Sequence, residues 1–361
     1  SELSYNYLSK FSKKFDEIIP SRSLILFLCQ NNQESLFAYL SSITNKIVPI
    51  LIESGTHIEQ IRSIMNAYKP EFIWIPKEKK DSFKDYNFEF EYKNYLLVSK
   101  KNAKVYKLNK NLALLLSTSG STGSPKFVRL SYKNLESNAL AISEYLSINK
   151  KEKPITVLPM SYSFGLSIIN SHIINGCTLL MTTKSIMQKD FWEFLKNNKA
   201  TSISGVPYTF EILLKLGFLK MQLPYLKTIT QAGGRLKKEL VKDLSEYCVQ
   251  NKKKFFVMYG QTEATARMSY LPPESASEKS ESIGIPIPKG SFDIIDDANN
   301  LISDTNIEGE LIYRGPNVSM GYASNIKDLS EPDTNKGTLY TGDIAKRDSD
   351  NFYYIVGRKN R

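Results

Sequence analysis

The chain is poor in the residues that build metal and disulfide sites. Its 361 residues include three cysteines and two histidines. Cys29, Cys177 and Cys248 are far apart and form no C-x-x-C pair, a pattern that favours reduced core cysteines over disulfides or a zinc site. With only His57 and His172 present, a histidine-rich metal site is excluded, and a structural role is favoured for both.

Long apolar runs are missing as well. No run approaches the roughly 20 residues that a membrane-spanning helix requires, and residues 1–15 lack the apolar stretch of a signal peptide. The sequence also contains no internal repeat and no low-complexity linker. Together with the unpaired cysteines, these absences predict a cytoplasmic protein without a membrane span.

Positive charge is the one compositional excess, with a formal net charge of +11. It raises nucleic acid as a partner, but the lysines lie in short groups spread along the chain, at 77–80, 150–153 and 252–254. A solvated surface explains this distribution better than a nucleic-acid-binding face. No helix-turn-helix or aromatic RNA-binding signature is recognisable, so we expect no nucleic-acid partner.

Short apolar runs alternate with amphipathic stretches through the first 270 residues. The runs predict strands at 23–29, 47–52, 71–76, 111–117, 154–160, 177–182, 201–206, 226–232 and 254–260. Helical patterns lie between several of these runs, as at 130–146 and 237–251. The alternation predicts an α/β fold in which helices cover mostly parallel sheets.

The sequence changes in character after about residue 270. The short strand patterns SFDIID, GELIYRG and FYYIVG are separated by Gly, Pro, Asn and Asp. They predict a small antiparallel β unit at the C-terminal end. We therefore expect two domains, an α/β part over residues 1–270 and a small β subdomain over 271–361.

The segment TSGSTGSPK, residues 118–126, follows an apolar run and is too long for a simple turn. It is not a Walker A loop, because Pro125 stands where that motif requires glycine. Gly120 and Gly123 permit positive φ, so that consecutive N–H groups can converge on an anion, and Lys126 adds charge. From this segment alone, a phosphate-binding loop and a mobile surface loop are equally open.

A second polar segment, YGQTEA at 259–264, ends the strand predicted at 254–260. The carboxyl ends of strands are where open α/β sheets bind ligands. Tyr259 can stack on a base, Thr262 can donate to a phosphate, and Glu263 can hold Mg²⁺, which takes one or two carboxylates plus substrate phosphates. By itself the segment is also compatible with an ordinary turn into a helix.

Two further motifs complete an ordered set: YTGD at 340–343 and GRKNR at 357–361. With T-S-G-S-T-G-x-P-K, Y-G-x-T-E, Y-T-G-D and G-R-K-x-R in this order, the chain resembles the adenylate-forming superfamily. That superfamily contains acyl- and aryl-CoA synthetases, peptide-synthetase adenylation domains and luciferases. The resemblance runs from about residue 110 to 361, and it implies that residues 1–270 form two similar subdomains.

The resemblance implies an enzyme, an AMP-forming acid–thiol ligase. Such an enzyme uses ATP to activate a carboxylic acid to acyl-AMP with release of pyrophosphate. The acyl group then passes to a phosphopantetheine thiol, either of CoA or of an acyl carrier protein. An amino-acid-activating enzyme and a non-catalytic nucleotide-binding module are the alternatives. The reaction needs no protein nucleophile, which agrees with the absence of a G-x-S-x-G motif.

Site residues follow from the same resemblance. The loop that would cradle the β- and γ-phosphates contains Thr118, Ser119, Gly120, Ser121, Thr122, Gly123 and Lys126. The adenine site would be formed by Gly233, Gly234, Tyr259 and Gly260. Thr262 would contact the α-phosphate and Glu263 would bind Mg²⁺, so that Thr262, Glu263 and Lys126 are the candidate catalytic residues. Asp343 would accept hydrogen bonds from the ribose hydroxyls, with Arg358 nearby.

The acyl pocket of this superfamily is lined by the region that corresponds to residues 158–166. Here it supplies Tyr162, Ser163 and Phe164 and no acidic residue. Peptide-synthetase domains usually place an aspartate in this region to bind the ammonium group of an amino acid. An uncharged or aromatic acid is therefore favoured, and an amino acid bound through a different contact remains open.

Two departures from the superfamily pattern stand out. Phe127 follows Lys126 at a position where glycine is usual. The resemblance also implies a mobile domain after Arg361, which carries a lysine that contacts the substrate carboxylate and the α-phosphate. That domain is absent from these 361 residues, so we expect them to form acyl-AMP slowly by themselves.

Overall fold

The computed structural model describes residues 4–101, 104–118 and 126–359 of the protein. By its contacts the chain divides into two compact units. The first unit contains Ser1–Lys133, Pro159–Tyr162 and Ser319–Thr334, and the second contains Asn134–Leu158, Ser163–Val318 and Asn335–Arg361. The domain boundaries that the sequence suggests, 1–270 and 271–361, stay a prediction.

Strands and helices alternate along most of the described chain. The strands are β1 Leu24–Cys29, β2 Val48–Glu53, β3 Phe72–Pro76, β4 Asn87–Tyr92, β5 Tyr95–Ser99, β6 Leu112–Ser117, β7 Phe127–Ser131, β8 Ser202–Gly205, β9 Thr228–Gln231, β10 Lys254–Tyr259, β11 Ser269–Leu271, β12 Ile285–Pro286, β13 Ser291–Ile295, β14 Gly309–Arg314, β15 Tyr322–Ala323, β16 Thr338–Arg347 and β17 Tyr353–Arg358. The α-helices are α1 Tyr5–Ile18, α2 Gln33–Thr44, α3 Ile58–Tyr68, α4 Tyr132–Tyr145, α5 Ser163–Ile173, α6 Lys189–Asn197, α7 Pro207–Lys215 and α8 Lys238–Gln250. Within the ranges described, no helix is both long enough and apolar enough to cross a bilayer.

The first unit is built on an eight-stranded sheet with the order β15-β7-β6-β2-β1-β3-β5-β4 among the described strands. Its centre, β6-β2-β1-β3, is parallel, and antiparallel strands extend it on both sides. Every residue of β1 is buried. A strand buried on both faces reads as a continuous apolar run, which is why the run LILFLC predicts a central strand correctly.

The second unit contains two sheets in its described part. One has the order β12-β11-β10-β9-β8. Strands β8, β9 and β10 are parallel, and β11 and β12 extend the sheet by antiparallel pairing. The other is the antiparallel sheet β13-β14-β16-β17. The predicted fold class is therefore confirmed: helix-covered sheets with parallel centres, and a small antiparallel β unit near the C-terminal end.

Two predicted strands are wrong. Residues 154–160 and 177–182 form only isolated bridges, in which Pro154 pairs with Ser202 and Ile155 with Leu180. Proline lacks the N–H group that a ladder needs, and the run at 154–160 has proline at 154 and again at 159. The two segments still meet, because the N–H of Leu180 donates to the carbonyl of Pro154 over 2.9 Å. Their apolar character therefore reports burial rather than regular pairing.

A buried arginine holds the segment Ser319–Thr334 in the first unit. Arg129 on β7 is 1% exposed. Its Nη1 donates to the carbonyl oxygens of Asp328 (3.2 Å) and Glu331 (2.7 Å). Its Nη2 donates to those of Met320 (2.7 Å) and Pro332 (3.2 Å). One guanidinium thus satisfies four carbonyl groups of the segment Ser319–Thr334.

The three cysteines are all buried. Burial raises the pKa of the Cys177 thiol to about 11 and that of Cys248 to about 12. Burial raises the pKa of Cys29 as well. Since the thiolate is the reactive form of cysteine, these side chains act as small core residues.

Candidate functional site

The predicted phosphate loop closes a β-hairpin of the first unit. Strands β6 and β7 are antiparallel, with Ser117 opposite Phe127, so that residues 118–126 connect two paired strand ends. Thr118 is partly buried and Lys126 is exposed. The predicted loop residues Ser119, Gly120, Ser121, Thr122 and Gly123 lie outside the described residues.

Lys126 contacts an aromatic ring in the same unit. Its Nζ lies 3.7 Å from the centre of the Tyr322 ring, a cation–π distance. The next residue, Phe127, is 2% exposed and packs edge-on against Tyr68, with ring centres 5.3 Å apart. An aromatic residue at this position therefore contributes to the core, whereas a glycine could not.

The predicted adenine residues lie at one edge of the parallel strands in the second unit. Gln231 on β9 pairs with Val257 on β10, and Gly233 and Tyr259 each lie two residues beyond that pair. Gly233 has φ +79°, a conformation that side-chain-bearing residues rarely adopt. The amide Nε2 of Gln231 donates to the carbonyl of Gly234 over 2.8 Å. The glycine pair thus has a fixed conformation at the carboxyl edge of the sheet, where such folds bind ligands.

Gly260 allows the chain to fold back on itself directly after β10. A Cβ atom at this position would lie 1.7 Å from the carbonyl oxygen of Ala266, so any other residue would force the backbone apart. Between these two positions lies a short 3-10 helix, Thr262–Ala264, followed by Thr265 with φ +65°. The close approach therefore determines where Thr262 and Glu263 lie.

Asp343 is held by three groups of the second unit. Its Oδ2 accepts hydrogen bonds from the Tyr259 hydroxyl (2.5 Å) and from Nε2 of Gln261 (3.0 Å). Its backbone N–H donates to Oγ1 of Thr341 (3.1 Å), which itself donates to the carbonyl of Leu311 (2.7 Å). The side chain of Asp343 is 12% exposed. These contacts together fix the orientation of the carboxylate.

The other carboxylate oxygen of Asp343, Oδ1, accepts no hydrogen bond from the residues that the structure describes. Among the described residues its charged neighbour is Arg358, whose Nε lies 3.9 Å from Oδ1. The Arg358 side chain is 64% exposed, and exposed ion pairs contribute little energy. Oδ1 can therefore accept hydrogen bonds from a donor pair such as a vicinal diol.

The Tyr259 hydroxyl is protonated at neutral pH and donates to Asp343. Burial raises the pKa of its hydroxyl well above the usual value, and the charge of Asp343 and the hydrogen bond to it raise the pKa further. Ionisation would place two negative charges in contact. Tyr259 therefore combines a ring at the predicted adenine site with a hydroxyl that orients Asp343.

A predicted catalytic residue and a predicted pocket residue meet in the second unit. The hydroxyl oxygens of Thr262 and Ser163 are 3.0 Å apart and both are buried. Ser163 begins α5, and Phe164 beside it is 3% exposed. Tyr162 belongs to the first unit, and burial raises the pKa of its hydroxyl.

Glu263 is a single, partly exposed carboxylate. Within the described ranges, no group of three or more His, Cys, Asp or Glu residues is arranged to hold a metal ion. One protein carboxylate is enough for Mg²⁺ that is held mainly by substrate phosphates. The residues present therefore fit a metal ion carried by a nucleotide rather than an ion held only by protein groups.

The motifs missed three residues that the structure adds to this region. Gln261 occupies the variable position of Y-G-x-T-E, and Thr341 lies inside YTGD, a motif that assigns no role to it. Arg267 is 2% exposed, and its guanidinium lies 5.0 Å from the centre of the Phe164 ring. It is the one charged residue in the run ATARMSYL, 264–271. A lone charge inside an apolar run was the available signal.

Comparison with known protein sequences matches this chain to a family of AMP-binding enzymes and to CoA ligases. The family described as AMP-binding enzyme matches residues 19–323. An oxalate–CoA ligase from Arabidopsis thaliana is 30% identical over 256 residues, 68% of this chain and 48% of that protein. A 2-succinylbenzoate–CoA ligase from Bacillus cereus is 29% identical over 252 residues, 70% of this chain and 50% of that protein. The chain spans about half the length of these curated relatives.

Solved structures show the same fold. O-succinylbenzoate coenzyme A synthetase from Bacillus subtilis, in complex with AMP, has a TM-score of 0.79 at 22% identity. The match covers 99% of this chain and 74% of that chain. The same synthetase in complex with ATP and magnesium ion gives a TM-score of 0.78 and covers 75% of that chain. At this identity the likeness establishes the architecture.

Proposed function

Because residues 19–323 place this chain in the family of AMP-binding enzymes, we propose that it binds ATP and a carboxylic acid and forms acyl-AMP. The acyl group then passes to the thiol of CoA or of a carrier-protein phosphopantetheine. The observation that carries the proposal is the Asp343 carboxylate, which is oriented through Oδ2 and open at Oδ1. The relatives named as CoA ligases support the reaction class.

Each part of the nucleotide has a proposed partner. The ribose hydroxyls donate to Asp343, with Arg358 at its side. The base lies against Tyr259 and the backbone of Gly233, Gly234 and Gly260. Loop 118–126, with Lys126 and the hydroxyl and glycine residues named above, is assigned to the β- and γ-phosphates. Solved complexes of the Bacillus subtilis synthetase with AMP, and with ATP and magnesium ion, support a nucleotide ligand.

The chemistry requires positioning rather than a protein nucleophile. A carboxylate oxygen of the acid forms a bond to the α-phosphorus while the bond to pyrophosphate breaks. Thr262, buried against Ser163, donates its hydroxyl to the α-phosphate, and Lys126 offsets the charge of the leaving group. Glu263 would hold Mg²⁺, which when bound supplies charge neutralisation. Oriented donors in a water-poor site stabilise the developing charge.

The proposal is tested in two steps. Calorimetric titration of residues 1–361 with AMP and with ATP measures nucleotide binding, and we expect micromolar to millimolar dissociation constants. Acid-dependent exchange of labelled pyrophosphate into ATP, by the protein at its native length, measures adenylation. A chain that binds neither nucleotide at millimolar concentration contradicts the nucleotide site. Binding without exchange for any acid would identify a non-catalytic nucleotide-binding module.

Glu263→Gln should lower pyrophosphate exchange at least about tenfold, which corresponds to about 1.4 kcal/mol of transition-state stabilisation. The change removes charge and keeps shape, so binding of AMP, which has no pyrophosphate to bridge, should change less than threefold. The exposed Glu308→Gln is the matched control. Equal losses in exchange and in AMP binding would mean that the substitution disturbs the fold rather than the metal.

Tyr259→Phe should weaken AMP binding about threefold to tenfold. The ring stays in place, but Asp343 loses the donor that lies 2.5 Å from its Oδ2, and a hydrogen bond of this kind contributes about 1 kcal/mol. Calorimetry with AMP measures the change, and the exposed Tyr340→Phe serves as the control. An unchanged dissociation constant would show that Gln261 and Thr341 suffice to orient the carboxylate.

A further inference from the structure

Arg267 is a buried cation without a carboxylate partner. It is 2% exposed, and within the described residues its hydrogen bonds all go to neutral groups. Nε donates to Oγ of Ser167 (3.1 Å), and Nη1 donates to the Tyr145 hydroxyl (2.9 Å) and contacts Sδ of Met258 (3.2 Å). Among these residues, Nη2 has no hydrogen-bond acceptor. The guanidinium is therefore only partly satisfied.

Tyr145 does not supply the missing negative charge. Burial raises the pKa of its hydroxyl, although the charge of Arg267 acts in the opposite direction, so the phenol stays neutral. Arg129, the buried arginine described above, differs because four carbonyl oxygens accept its hydrogen bonds. A guanidinium cannot lose its proton in a protein, and a buried charge is costly unless it is paired. Arg267 lacks such compensation.

The position of Arg267 relates it to the acid pocket. Ser163, Ser167 and Phe164 lie within the first turns of α5. Ser163 contacts Thr262, and Ser167, one helical turn further on, accepts the hydrogen bond from Arg267. The guanidinium also lies over the Phe164 ring. Arg267 is thus about one helical turn from the hydroxyl pair at which the proposed reaction occurs.

A small cavity of about 20 Å³, lined by both apolar and polar residues, adjoins Arg267 on one side. Its lining includes Ile168, His172, Glu152 and four hydroxyl residues of β8 and β9: Ser202, Ser204, Thr228 and Thr230. This volume holds about one water molecule and no acid. Glu152 is beyond ion-pairing distance of Arg267 and lies 3.9 Å from Lys227. The cavity therefore contains no direct counterion for Arg267.

His172, which also lines this cavity, is neutral. Its Nδ1 donates to the carbonyl of Ile168 over 2.8 Å, because that carbonyl can only accept. Burial, assisted by the charge of Arg267, lowers the pKa of His172 to about 4. His172 therefore adds no charge beside Arg267, and the carboxylate that lines the same cavity, Glu152, is paired with Lys227.

We propose that Arg267 binds a second anionic group of the substrate, so that the acid activated here is a dicarboxylic acid. One carboxylate reacts, and the other pairs with the guanidinium, whose planar fork matches a carboxylate. This inference rests on the proposed function and names its substrate class. It revises the expectation of an uncharged or aromatic acid, because that expectation rests on residues 158–166 and does not include a cation contributed by residue 267.

Matched acid pairs test the inference in the protein at its native length. The pairs are succinate and butyrate, glutarate and pentanoate, adipate and hexanoate, and phthalate and benzoate, each scored by kcat/KM for acid-dependent pyrophosphate exchange. We expect the dicarboxylic acid of at least one pair to be preferred at least about thirtyfold. Arg267→Met should abolish that preference by lowering kcat/KM for the diacid while changing that for the monoacid less than threefold. Arg314→Met, an exposed arginine paired with Asp293, is the control.

The outcomes separate the inference from the proposed function. If wild-type protein prefers the monoacid in every pair, or if Arg267→Met lowers activity equally for both members, the inference is wrong and adenylation stands. If neither AMP binding nor exchange with any acid occurs, both are wrong. If Arg267→Met fails to fold, Arg267→Lys keeps the charge and loses the fork. Arg267→Lys should then retain part of the preference for the dicarboxylic acid. The ranking of the acid pairs by the wild-type protein also tests the inference without any variant.

Discussion

Replacing Asp343 by alanine is expected to weaken AMP binding at least about a hundredfold. A carboxylate that accepts hydrogen bonds from two ribose hydroxyls makes two charge-assisted bonds, each worth about 1.5–3 kcal/mol. A loss of about 3 kcal/mol corresponds to a factor of more than a hundred in Kd. Because Tyr259, Gln261 and Thr341 orient this carboxylate in advance, little of that energy is lost to ordering it.

The ribose contact can be isolated with a nucleotide that lacks it. Calorimetry should compare AMP with 2′,3′-dideoxy-AMP in the wild type and in Asp343→Ala, which forms a double cycle. We expect the wild type to bind AMP much more tightly than the dideoxy nucleotide, and the variant to bind both about equally. Asp304→Ala, at an exposed position, controls for the loss of one negative charge. A variant that still distinguishes the two nucleotides would show that another group reads the ribose.

Arg129→Met is expected to lower the free energy of unfolding by about 3–5 kcal/mol. The substitution keeps the apolar stem of the side chain but removes four hydrogen bonds from a charged donor to the carbonyl oxygens of residues 320–332. Among the described residues, the carbonyls of Met320, Asp328 and Glu331 keep another donor, whereas no other donor to the Pro332 carbonyl is seen. Hydrogen bonds to a charged group contribute about 1.5–3 kcal/mol each, and the retained donors offset part of the loss. Urea unfolding, followed by tryptophan fluorescence, measures the change, since Trp74 lies in the core of the same unit.

Arg62→Met is the matched control, because Arg62 is exposed on α3 and surface substitutions usually change stability by less than about 0.5 kcal/mol. Arg129→Lys should recover little, since one ammonium cannot reach carbonyls on both sides of the segment as a planar guanidinium does. Faster proteolytic cleavage between residues 319 and 334 should accompany the loss. An unfolding transition at the wild-type urea concentration would show that packing alone holds this segment.

Sequence patterns predicted the fold where burial and hydrogen bonding coincide. The runs at 23–29, 47–52 and 254–260 became strands because their apolar residues lie inside paired ladders. The run at 154–160 is equally apolar, yet its prolines remove ladder donors, and two isolated bridges remain. Hydrophobicity measures burial and cannot by itself distinguish a strand from an irregular buried segment.

The candidate site was predictable only where its chemistry lies within a short motif. Tyr259, Thr262 and Glu263 are neighbours in sequence, so that a single motif predicts all three. The hydrogen bond from Tyr259 to Asp343 joins residues far apart in the chain, so no local sequence pattern predicts it. For Arg267, the surrounding run of residues 264–271 indicates a buried charge but not its partners, because Ser167 and Tyr145 lie on α5 and α4.

The hydrogen bond between Tyr259 and Asp343 also connects two sheets of the second unit. Tyr259 ends β10 of the five-stranded sheet, and Asp343 lies on β16 of the antiparallel sheet. A nucleotide that contacts both residues reinforces this junction, so ligand occupancy and the docking of the two sheets are thermodynamically coupled. The coupling is reciprocal: whatever loosens the antiparallel sheet lowers nucleotide affinity by the same free energy with which the nucleotide holds the sheets together.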